Sequence, residues 1–346
     1  GYQKLHKQVQ RMLLLQSELK WLNMEAIRLA YEDMKRIEGF DAVKYLPILT
    51  ELEQQVKQGF GNIYSGDEAV LVNAEKAVAN KRAILLANPL LNGDKILTVR
   101  YQLGNRDRRA MAPELGTQSN NWSNQESARR KGFNADIVEL SNLRDEVQIR
   151  TIYKPDNTSS IADLKLHWDG DRAMFTQTMS DNRWNVFEVK LNNGDCKKLI
   201  DNPEPDLEFY DGTYLPDGRI IANSNIGYQG VPCVNGSDPV GNMVLYTPQS
   251  KNLRRLTFDQ DANWNPVIMN NGRVMYTRWE YTDLTHYYTR IVMNMNPDGT
   301  EQKALYGSGS MFPNSTFDVQ PLPGYASAFV GIISGHHGVA RSGRLI

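Results

Sequence analysis

The spacing of apolar and polar residues along the chain changes near residue 93. Before this point apolar residues recur at alternating steps of four and three, which is the spacing of an amphipathic helix. Long polar residues with high helix propensity fill most of the positions between them. The first apolar stripe consists of Leu15, Leu19, Leu22, Ala26 and Leu29.

Several residues in this first part are typical of helix ends. Gly39 is a natural stop, and Asp41 can cap the helix that follows. Ser65 with Glu68 forms a capping-box pattern, and Pro89 ends the helical spacing. We therefore predict three helices that pack together or against a strand-rich neighbour. A two-chain coiled coil is the alternative, but the apolar stripe is shorter than the heptads it requires.

After residue 93 the chain consists of short β-prone runs separated by turn residues. Three segments share a strand, an Asx-Gly turn and a second strand, with their turns at Gly170, Gly218 and Gly272. Each segment is followed by a further hairpin, so that four-stranded units repeat about every 50 residues. Such units bury their faces only by stacking on one another. The repeat predicts a mainly β chain forming a β-propeller of four-stranded blades.

Partial copies of the repeat flank these three. Residues 95–101 and 135–140 resemble an early blade interrupted by a polar insertion, and residues 317–319 and 328–333 begin a late one. We predict a small all-α domain over 1–93 and the N-terminal blades of a propeller over 94–346. The ring is expected to be completed by residues beyond this chain, because open sheet edges are usually avoided.

Composition excludes several classes of protein. The chain has 40% hydrophobic and 23% charged residues, as in globular domains. The 39 basic and 40 acidic residues give no overall field for nucleic acid, and no apolar run is long enough to span a membrane. Cys196 and Cys233 are too few for a disulfide framework or a cysteine-type zinc site. A Cys-x-x-Cys-His motif is absent, so this sequence predicts no covalent c-type haem.

Motifs in the second half carry a family resemblance. The run 255–258, which leads to Asp261 and Pro266, and the run 271–274 resemble the WD40-like repeat of TolB-type propellers. Tyr276-Thr277-Arg278-Trp279-Glu280-Tyr281, Met295-Asn296-Pro297-Asp298-Gly299-Thr300 and Gly335-His336-His337-Gly338 resemble the propeller region of hydrazine synthase α-subunit-like proteins.

The resemblance covers roughly residues 94 to 346. It implies a propeller, and it implies a bacterial protein that is periplasmic, secreted or on the cell surface. The namesake of the second family carries haem, but the missing Cys-x-x-Cys-His means that hydrazine synthesis is not transferred to this chain. Fold resemblance alone does not determine function.

The densest group of chemically active side chains follows the third repeat. Arg278, Trp279, Glu280, Asp283 and His286 combine a planar cation, two carboxylates, an imidazole and an aromatic ring within nine residues. Such a set suits a polar ligand. The alternative is structural: Trp279 packs between blades while Arg278 and Glu280 pair. We predict a ligand-binding pocket at the mouth of the propeller.

Other histidines are weaker candidates. His336 and His337 are expected near the same pocket, although neighbours on a strand point to opposite faces and chelate one ion together only in a turn. His167, beside Trp168, is treated in the same way, and Asp169 is expected to cap the turn that follows.

Two further features have structural and functional interpretations. The insertion 104–132 is locally basic, includes Arg130 and Trp122, and is either an anion-binding segment or a solvated loop. Acidic residues between the blades are either turn formers or ligands of Ca²⁺, the one ion that the sequence leaves open, although EF-hand spacing is absent. These residues are Asp201, Asp206, Asp211, Asp259 and Asp261.

Three functions remain. The favoured hypothesis is a binding propeller of the bacterial envelope that recognises a glycan, a peptide or a protein. The second is a polysaccharide-active enzyme that uses Arg278, Glu280, Asp283 and a histidine. The third is a redox subunit whose haem lies in sequence outside this chain. The residues do not decide whether the protein is an enzyme, and they imply no further cofactor.

Overall fold

The computed structural model describes most of the helical region and most of the strands. The described residues are 2–91, 93, 95–102, 130, 134–144, 146–156, 159–231, 236, 239–279, 290–309, 315–333 and 344–346. The four helices are α1 (Tyr2–Lys20), α2 (Met24–Met34), α3 (Ala42–Gln58) and α4 (Glu68–Leu85).

The helix ends follow side-chain capping, with two corrections to the sequence prediction. Four helices replace the predicted three, because Asn23 interrupts the first stripe and its side chain accepts a hydrogen bond from the amide of Ala26. Asp41 caps α3, as predicted. The residue that caps α4 is Asp67, whose carboxylate accepts from the amide of Ala69, and not Ser65. Aspartate is as good an N-cap as serine, and here it directly precedes the first helical residue.

The helices pack on cores of their own. The break at Asn23 rotates the apolar face, so that Leu15 is buried in α1 whereas Leu29 of the predicted stripe is exposed. In α2 the buried face is formed by Ile27, Tyr31 and Met34, which pack against Leu49 and Leu52 of α3 and Ala77 and Ile84 of α4.

Five antiparallel sheets follow. The first contains β1 (Lys95–Gln102), β2 (Asn134–Ser141) and β3 (Gln148–Tyr153). The second contains β4 (Ile161–Leu166), β5 (Arg172–Thr178), β6 (Trp184–Lys190) and β7 (Cys196–Lys198). The third contains β8 (Phe209–Tyr214), β9 (Ile220–Ser224), β10 (Asn242–Thr247) and β11 (Asn252–Arg255). The fourth contains β12 (Asn263–Ile268), β13 (Val274–Trp279), β14 (Arg290–Met295) and β15 (Lys303–Tyr306). The fifth contains β16 (Thr316–Pro321), β17 (Phe329–Ile333) and β18 (Arg344–Leu345).

Within each sheet the strands pair in chain order, and successive sheets pack face to face. One core joins Met174 and Val186 of the second sheet to Phe209 and Val244 of the third. Equivalent cores join the first sheet to the second, the third to the fourth and the fourth to the fifth. Strand β4 contacts β8, β8 contacts β12 and β12 contacts β16, and we call these four the inner strands. The mainly β propeller, preceded by a helical N-terminal region, is thereby confirmed.

The chain separates into two compact units. One consists of Gly1–Ile96 with Ser141–Gln148, and the other of Leu97–Leu140 with Ile149–Ile346. Within the described ranges, none of the helices combines the length and the apolar character needed to span a bilayer. The completion of the ring by residues outside this chain stays a prediction.

Candidate functional site: a cavity between the inner strands

Each of the four inner strands has one Asp or Asn residue at a β-bulge, where its backbone has a positive φ angle. Asp163, Asp211, Asn265 and Asp318 have positive φ angles of 53°, 51°, 53° and 47°. Each lies where the pairing with the next strand shifts register, between Ala162 and Lys165 in the first case and at the matching place in the others. Aspartate and asparagine tolerate this left-handed conformation better than other residues that carry a side chain. The four bulges therefore repeat one Asx residue around the inner strands.

These Asx residues line a cavity of about 460 Å³, which we call the channel cavity. Its walls come from the four inner strands and from the turn after β4. The lining residues are Asp163, Leu164, Lys165, Leu166, Trp168, Asp211, Thr213, Tyr214, Asn265, Val267, Ile268, Asp318, Gln320 and Pro321. A concave space with a few convergent polar groups is the usual form of a small-molecule site.

Asp211 is the most buried carboxylate in this cavity, with a residue exposure of 1%. Its Oδ1 accepts a hydrogen bond from Nζ of Lys165 at 3.1 Å. Its Oδ2 accepts from the side-chain amide of Asn223 at 3.2 Å and from the backbone amide of Asn265. A buried carboxylate needs this many donors, because an unpaired charge in such a position is costly. Asp211 therefore connects three adjacent sheets through its own hydrogen bonds.

Lys165 brings a positive charge into the same space. Its ammonium group donates to Asp211 and also to the carbonyl oxygen of Pro266 at 3.0 Å, and 19% of its side chain is exposed. Besides Asp211, the described lining of the cavity includes the carboxyl groups of Asp163 and Asp318.

Asp163 has an unusual proton affinity. Burial raises its pKa to about 7, and the nearby carboxylates of Asp211 and Asp318 act in the same direction. Lys165 and the hydrogen bond from Thr176 Oγ1, at 2.8 Å, oppose the rise. The Asp163 carboxyl group therefore takes up or releases a proton near neutral pH.

The wall of the cavity also contains aromatic side chains. Tyr214 packs edge-on against His167 with the ring centroids 4.7 Å apart, and its ring lies 6.3 Å from that of Trp168. Trp168 remains 58% exposed, although it borders the cavity. An exposed indole beside a polar cavity offers a flat apolar surface to a bound molecule.

The predicted cluster around Arg278 is only partly within the described residues. Arg278, on β13, pairs with Asp259 at 2.9 Å, and 25% of its side chain and 12% of that of Asp259 are exposed. Asp259 also accepts a hydrogen bond from Asn263 at 3.0 Å. The predicted partner Glu280 lies outside the described residues. Arg278 therefore has an ion pair with a carboxylate that the sequence interpretation did not connect to it.

Trp279 is fully buried. Its ring stacks with that of Trp264 at 6.1 Å, and the guanidinium of Arg290 lies over both rings. Trp279 thus packs among other side chains, and its predicted contact with a ligand stays a prediction. Asp283, His286, His336 and His337 lie outside the described residues, and their ligand contacts stay predictions.

The candidates outside this cluster have structural partners. His167, Asp169 and Asp171 place ligand atoms within 4.8 Å of one another, but the guanidinium of Arg172 contacts all three. The carboxylate of Asp169 accepts a hydrogen bond from Arg172 at 3.2 Å, and the Asp169 amide donates to the ring of His167 at 3.1 Å. Of the basic insertion 104–132, the structure describes Arg130. Its guanidinium donates to the carboxylate of Glu208 and to the carbonyl of Asn182.

Three of the acidic residues considered for Ca²⁺ lie in different parts of the described structure. Asp201 follows the outer strand β7 and pairs with Lys251 at 2.7 Å. Asp259 pairs with Arg278 on the fourth sheet, whereas Asp211 belongs to the channel cavity.

The sequence analysis did not identify the four Asx residues of the inner strands, although their spacing from the turn glycines is regular. An Asp or Asn occurs seven residues before Gly170, Gly218 and Gly272, and six before Gly324. The sequence interpretation aligned the turns but did not compare the positions ahead of them.

The described site and fold define a β-propeller protein with a polar cavity between its inner strands. Hydrazine synthase of Kuenenia stuttgartiensis is similar, with 10% identity and a TM-score of 0.51, over 70% of this chain and 36% of that one. This likeness confirms the predicted resemblance at the level of the fold.

Other propellers are similar over comparable lengths. A putative TolB from Agrobacterium tumefaciens has 14% identity and a TM-score of 0.42, over 66% of this chain and 79% of that one. An oligogalacturonate lyase from Vibrio parahaemolyticus has 13% identity and a TM-score of 0.42, over 69% and 67%. No family model and no curated protein sequence matches. The chain spans 36% of hydrazine synthase and 29% of the similar puromycin hydrolase.

Proposed function

We propose that this chain is the binding part of a propeller protein of the bacterial envelope and that it holds a small polar ligand, or a polar group of a larger partner, in the channel cavity. The observation that carries this proposal is the convergence of one Asx residue from each of four inner strands on a cavity of about 460 Å³. A glycan, a peptide and a protein side chain can all present groups that fit such a space.

The test is a cavity-blocking variant. Gln320 is exposed and borders the cavity, so Gln320→Trp should fill the space without disturbing the core. Gln249→Trp, at the exposed turn between β10 and β11, is the matched control. Isothermal calorimetry with maltose, triglycine and hexylamine should reveal at least one ligand that the wild type and the control bind and that Gln320→Trp does not. Equal binding by all three proteins would overturn the cavity as the site.

A second candidate is catalysis, and it rests on Asp163. The raised pKa of Asp163, beside the buried and hydrogen-bonded side chain of Asp211, makes Asp163 a candidate proton donor. Cleavage of a glycan in the same cavity would use these two groups and not the predicted set at Arg278. Release of reducing ends from soluble polysaccharides, lost in Asp163→Asn and retained in Asp195→Asn, would support it.

The predicted contact through Arg278 is kept as a separate proposal. Arg278 would hold an acidic ligand group, and Glu280, Asp283, His286, His336 and His337 would surround it. The competing explanation is the ion pair with Asp259, and the two differ in what Arg278→Ala should change.

A further inference from the structure

The lining of the channel cavity becomes more apolar along the inner strands. Two residues after each Asx residue the lining side chains are of mixed character, and three residues after it they are aliphatic or aromatic. The latter are Leu166, Tyr214, Ile268 and Pro321. Trp168, in the turn after β4, adds an indole whose ring lies 6.3 Å from that of Tyr214. The cavity therefore has a polar middle and an apolar, aromatic end.

Trp168 is exposed and is nevertheless held in position. The residue is 58% exposed, and the ring of His167 packs edge-on against its indole with the ring centroids 5.2 Å apart. His167 is fixed in turn, because its Nε2 lies 2.7 Å from the guanidinium of Arg172 and its Nδ1 accepts from the amide of Asp169 at 3.1 Å. An aromatic ring that is already held in place loses little entropy when a ligand packs on it.

Tyr214 supports the indole from the inner strand β8. Its hydroxyl group donates to Oε2 of Glu188 at 3.1 Å, and Glu188 is buried. The hydroxyl group of Tyr214 is thereby occupied within the protein, while its ring borders the cavity beside Trp168. Two aromatic rings with fixed positions therefore form this end of the cavity.

Uncharged hydrogen-bonding groups border the same cavity. Thr213 directly precedes Tyr214 on β8, and Gln320 directly precedes Pro321 on β16. Hydroxyl and carboxamide groups both donate and accept hydrogen bonds. A ligand at the apolar end thus meets uncharged donors and acceptors one residue away along two of the inner strands.

A pyranose ring combines the two kinds of surface that this cavity requires. Its axial C–H bonds form an apolar face, and its hydroxyl groups point outward from the rim as donors and acceptors. The apolar face packs well on an indole, because the negative face of the aromatic ring attracts the slightly positive C–H hydrogens. A peptide group presents hydrogen-bonding atoms but no comparable apolar face.

The charges of the lining favour an uncharged glycan. Within the described lining Lys165 is the one cation, and its ammonium group already donates to Asp211 and to the carbonyl oxygen of Pro266. An acidic glycan would bring another carboxylate into a space that contains the carboxyl groups of Asp211 and Asp318, and like charges repel.

We infer that the channel cavity binds an uncharged glycan through one pyranose ring, which stacks its C–H face on the indole of Trp168. The hydroxyl groups of this ring form hydrogen bonds with Thr213 and Gln320, and His167 and Tyr214 keep the indole in position. This inference rests on the proposed function, because it names the ligand class of the same cavity.

The experiment measures the binding of disaccharides to the full chain by isothermal calorimetry. At least one of maltose, cellobiose and diacetylchitobiose should bind the wild type, and digalacturonate should bind more weakly than that disaccharide. Trp168→Ala should weaken the binding of that disaccharide by at least about tenfold, and Trp168→Phe, which keeps a flat ring, by about threefold or less. Phe258→Ala removes an exposed ring outside the cavity lining and should bind the disaccharide like the wild type.

A second measurement reports on the indole itself. Acrylamide quenches the fluorescence of exposed tryptophan side chains, and Trp168 is one of them. The bound disaccharide should therefore reduce the quenching of the wild type and leave the quenching of Trp168→Phe unchanged.

Three results would overturn the inference: binding of none of the three uncharged disaccharides, undiminished binding in Trp168→Ala, or tighter binding of digalacturonate than of any uncharged disaccharide. If triglycine or hexylamine binds instead and Gln320→Trp blocks it, the inference is wrong and the proposed function stands. If Gln320→Trp blocks none of the ligands that the wild type binds, the proposed function fails as well.

Discussion

Trp279 and Arg290 face each other across β13 and β14, and the guanidinium carbon of Arg290 lies 5.3 Å from the centroid of the Trp279 ring. The same carbon lies 5.4 Å from the ring of Trp264 and 5.0 Å from that of Phe317. Arg290 is fully buried. A charged side chain among three aromatic rings joins the fourth sheet to the fifth through cation–π contacts.

Replacing Arg290 should therefore destabilise the propeller. Arg290→Lys keeps the charge but loses the planar stacking surface, and Arg290→Met keeps the length but loses the charge. We expect each variant to lower the free energy of unfolding by about 2–4 kcal/mol. Urea denaturation followed by tryptophan fluorescence measures this, with the exposed Arg254→Met as control. Loss below about 0.5 kcal/mol in Arg290→Lys would show that the flat guanidinium is not needed.

Asp163 should make stability depend on pH. Its pKa is about 7 in the folded protein and close to 3.8 when unfolded, so the folded state binds more protons between these values. The contribution of Asp163 is complete below about pH 4, and it is lost as the pH rises toward 7. Tyr101, whose own pKa is raised to about 12 by burial and by Asp163, stays neutral in this range.

Asp163→Asn removes this titration. The variant should be more stable than the wild type at pH 8, by at least about 1 kcal/mol, since one pKa unit corresponds to about 1.4 kcal/mol. Its melting temperature should also change less between pH 5 and pH 8. Thermal unfolding at several pH values provides the measurement. Parallel curves for the two proteins would mean that the proton is held elsewhere.

Two turn glycines with similar φ angles should respond differently to alanine. Gly218 has a φ of 83° and Gly194 a φ of 76°, so a side chain strains the backbone at both. A Cβ at Gly218 would meet only the end of Gln249 at 4.0 Å, whereas at Gly194 it would lie 2.6 Å from the carbonyl oxygen of Ile152. We expect Gly218→Ala to lower the free energy of unfolding by about 1–2 kcal/mol and Gly194→Ala to lower it by clearly more, both measured by urea denaturation. Equal losses of unfolding free energy in the two variants would contradict a steric clash at position 194.

Arg278→Ala separates two roles. Because Asp259 is only 12% exposed, loss of its partner should lower the free energy of unfolding by about 1–3 kcal/mol. Arg278→Ala combined with Asp259→Asn should regain part of this loss, because the neutral amide needs no cation. Thermal unfolding and calorimetry on the same samples decide the matter. An unchanged melting temperature with ligand binding abolished would instead support the proposed ligand contact.

The fold was largely readable from the sequence, because its determinants are local. The Asx-Gly turns need positive φ angles, and glycine supplies them at Gly170, Gly218 and Gly272. The change of apolar spacing near residue 93 marked the helical part in the same way. The details of capping were less certain, since Asp67 and Ser65 are both suitable caps two residues apart.

The candidate site was much harder to read. Asp163 and Asp211 are 48 residues apart, and only the stacking of sheets brings them together. Their shared character is a backbone conformation at a bulge, which composition does not show. The partner of Arg278 was missed for a related reason: Asp259 precedes β12, and the return of β13 places the two side chains side by side.

The repetition of one Asx residue per inner strand means that the charge of the cavity is set in unit steps by the blades. The fourth sheet already carries the neutral form at Asn265, whereas its neighbours carry the acid. Replacing a carboxylate by an amide at one of these positions changes the charge of the cavity and keeps the β-bulge that positions the side chain. In a duplicated blade, a single Asp-to-Asn substitution at this position would therefore change the charge of the ligand that the cavity accepts. The architecture around the position would stay the same.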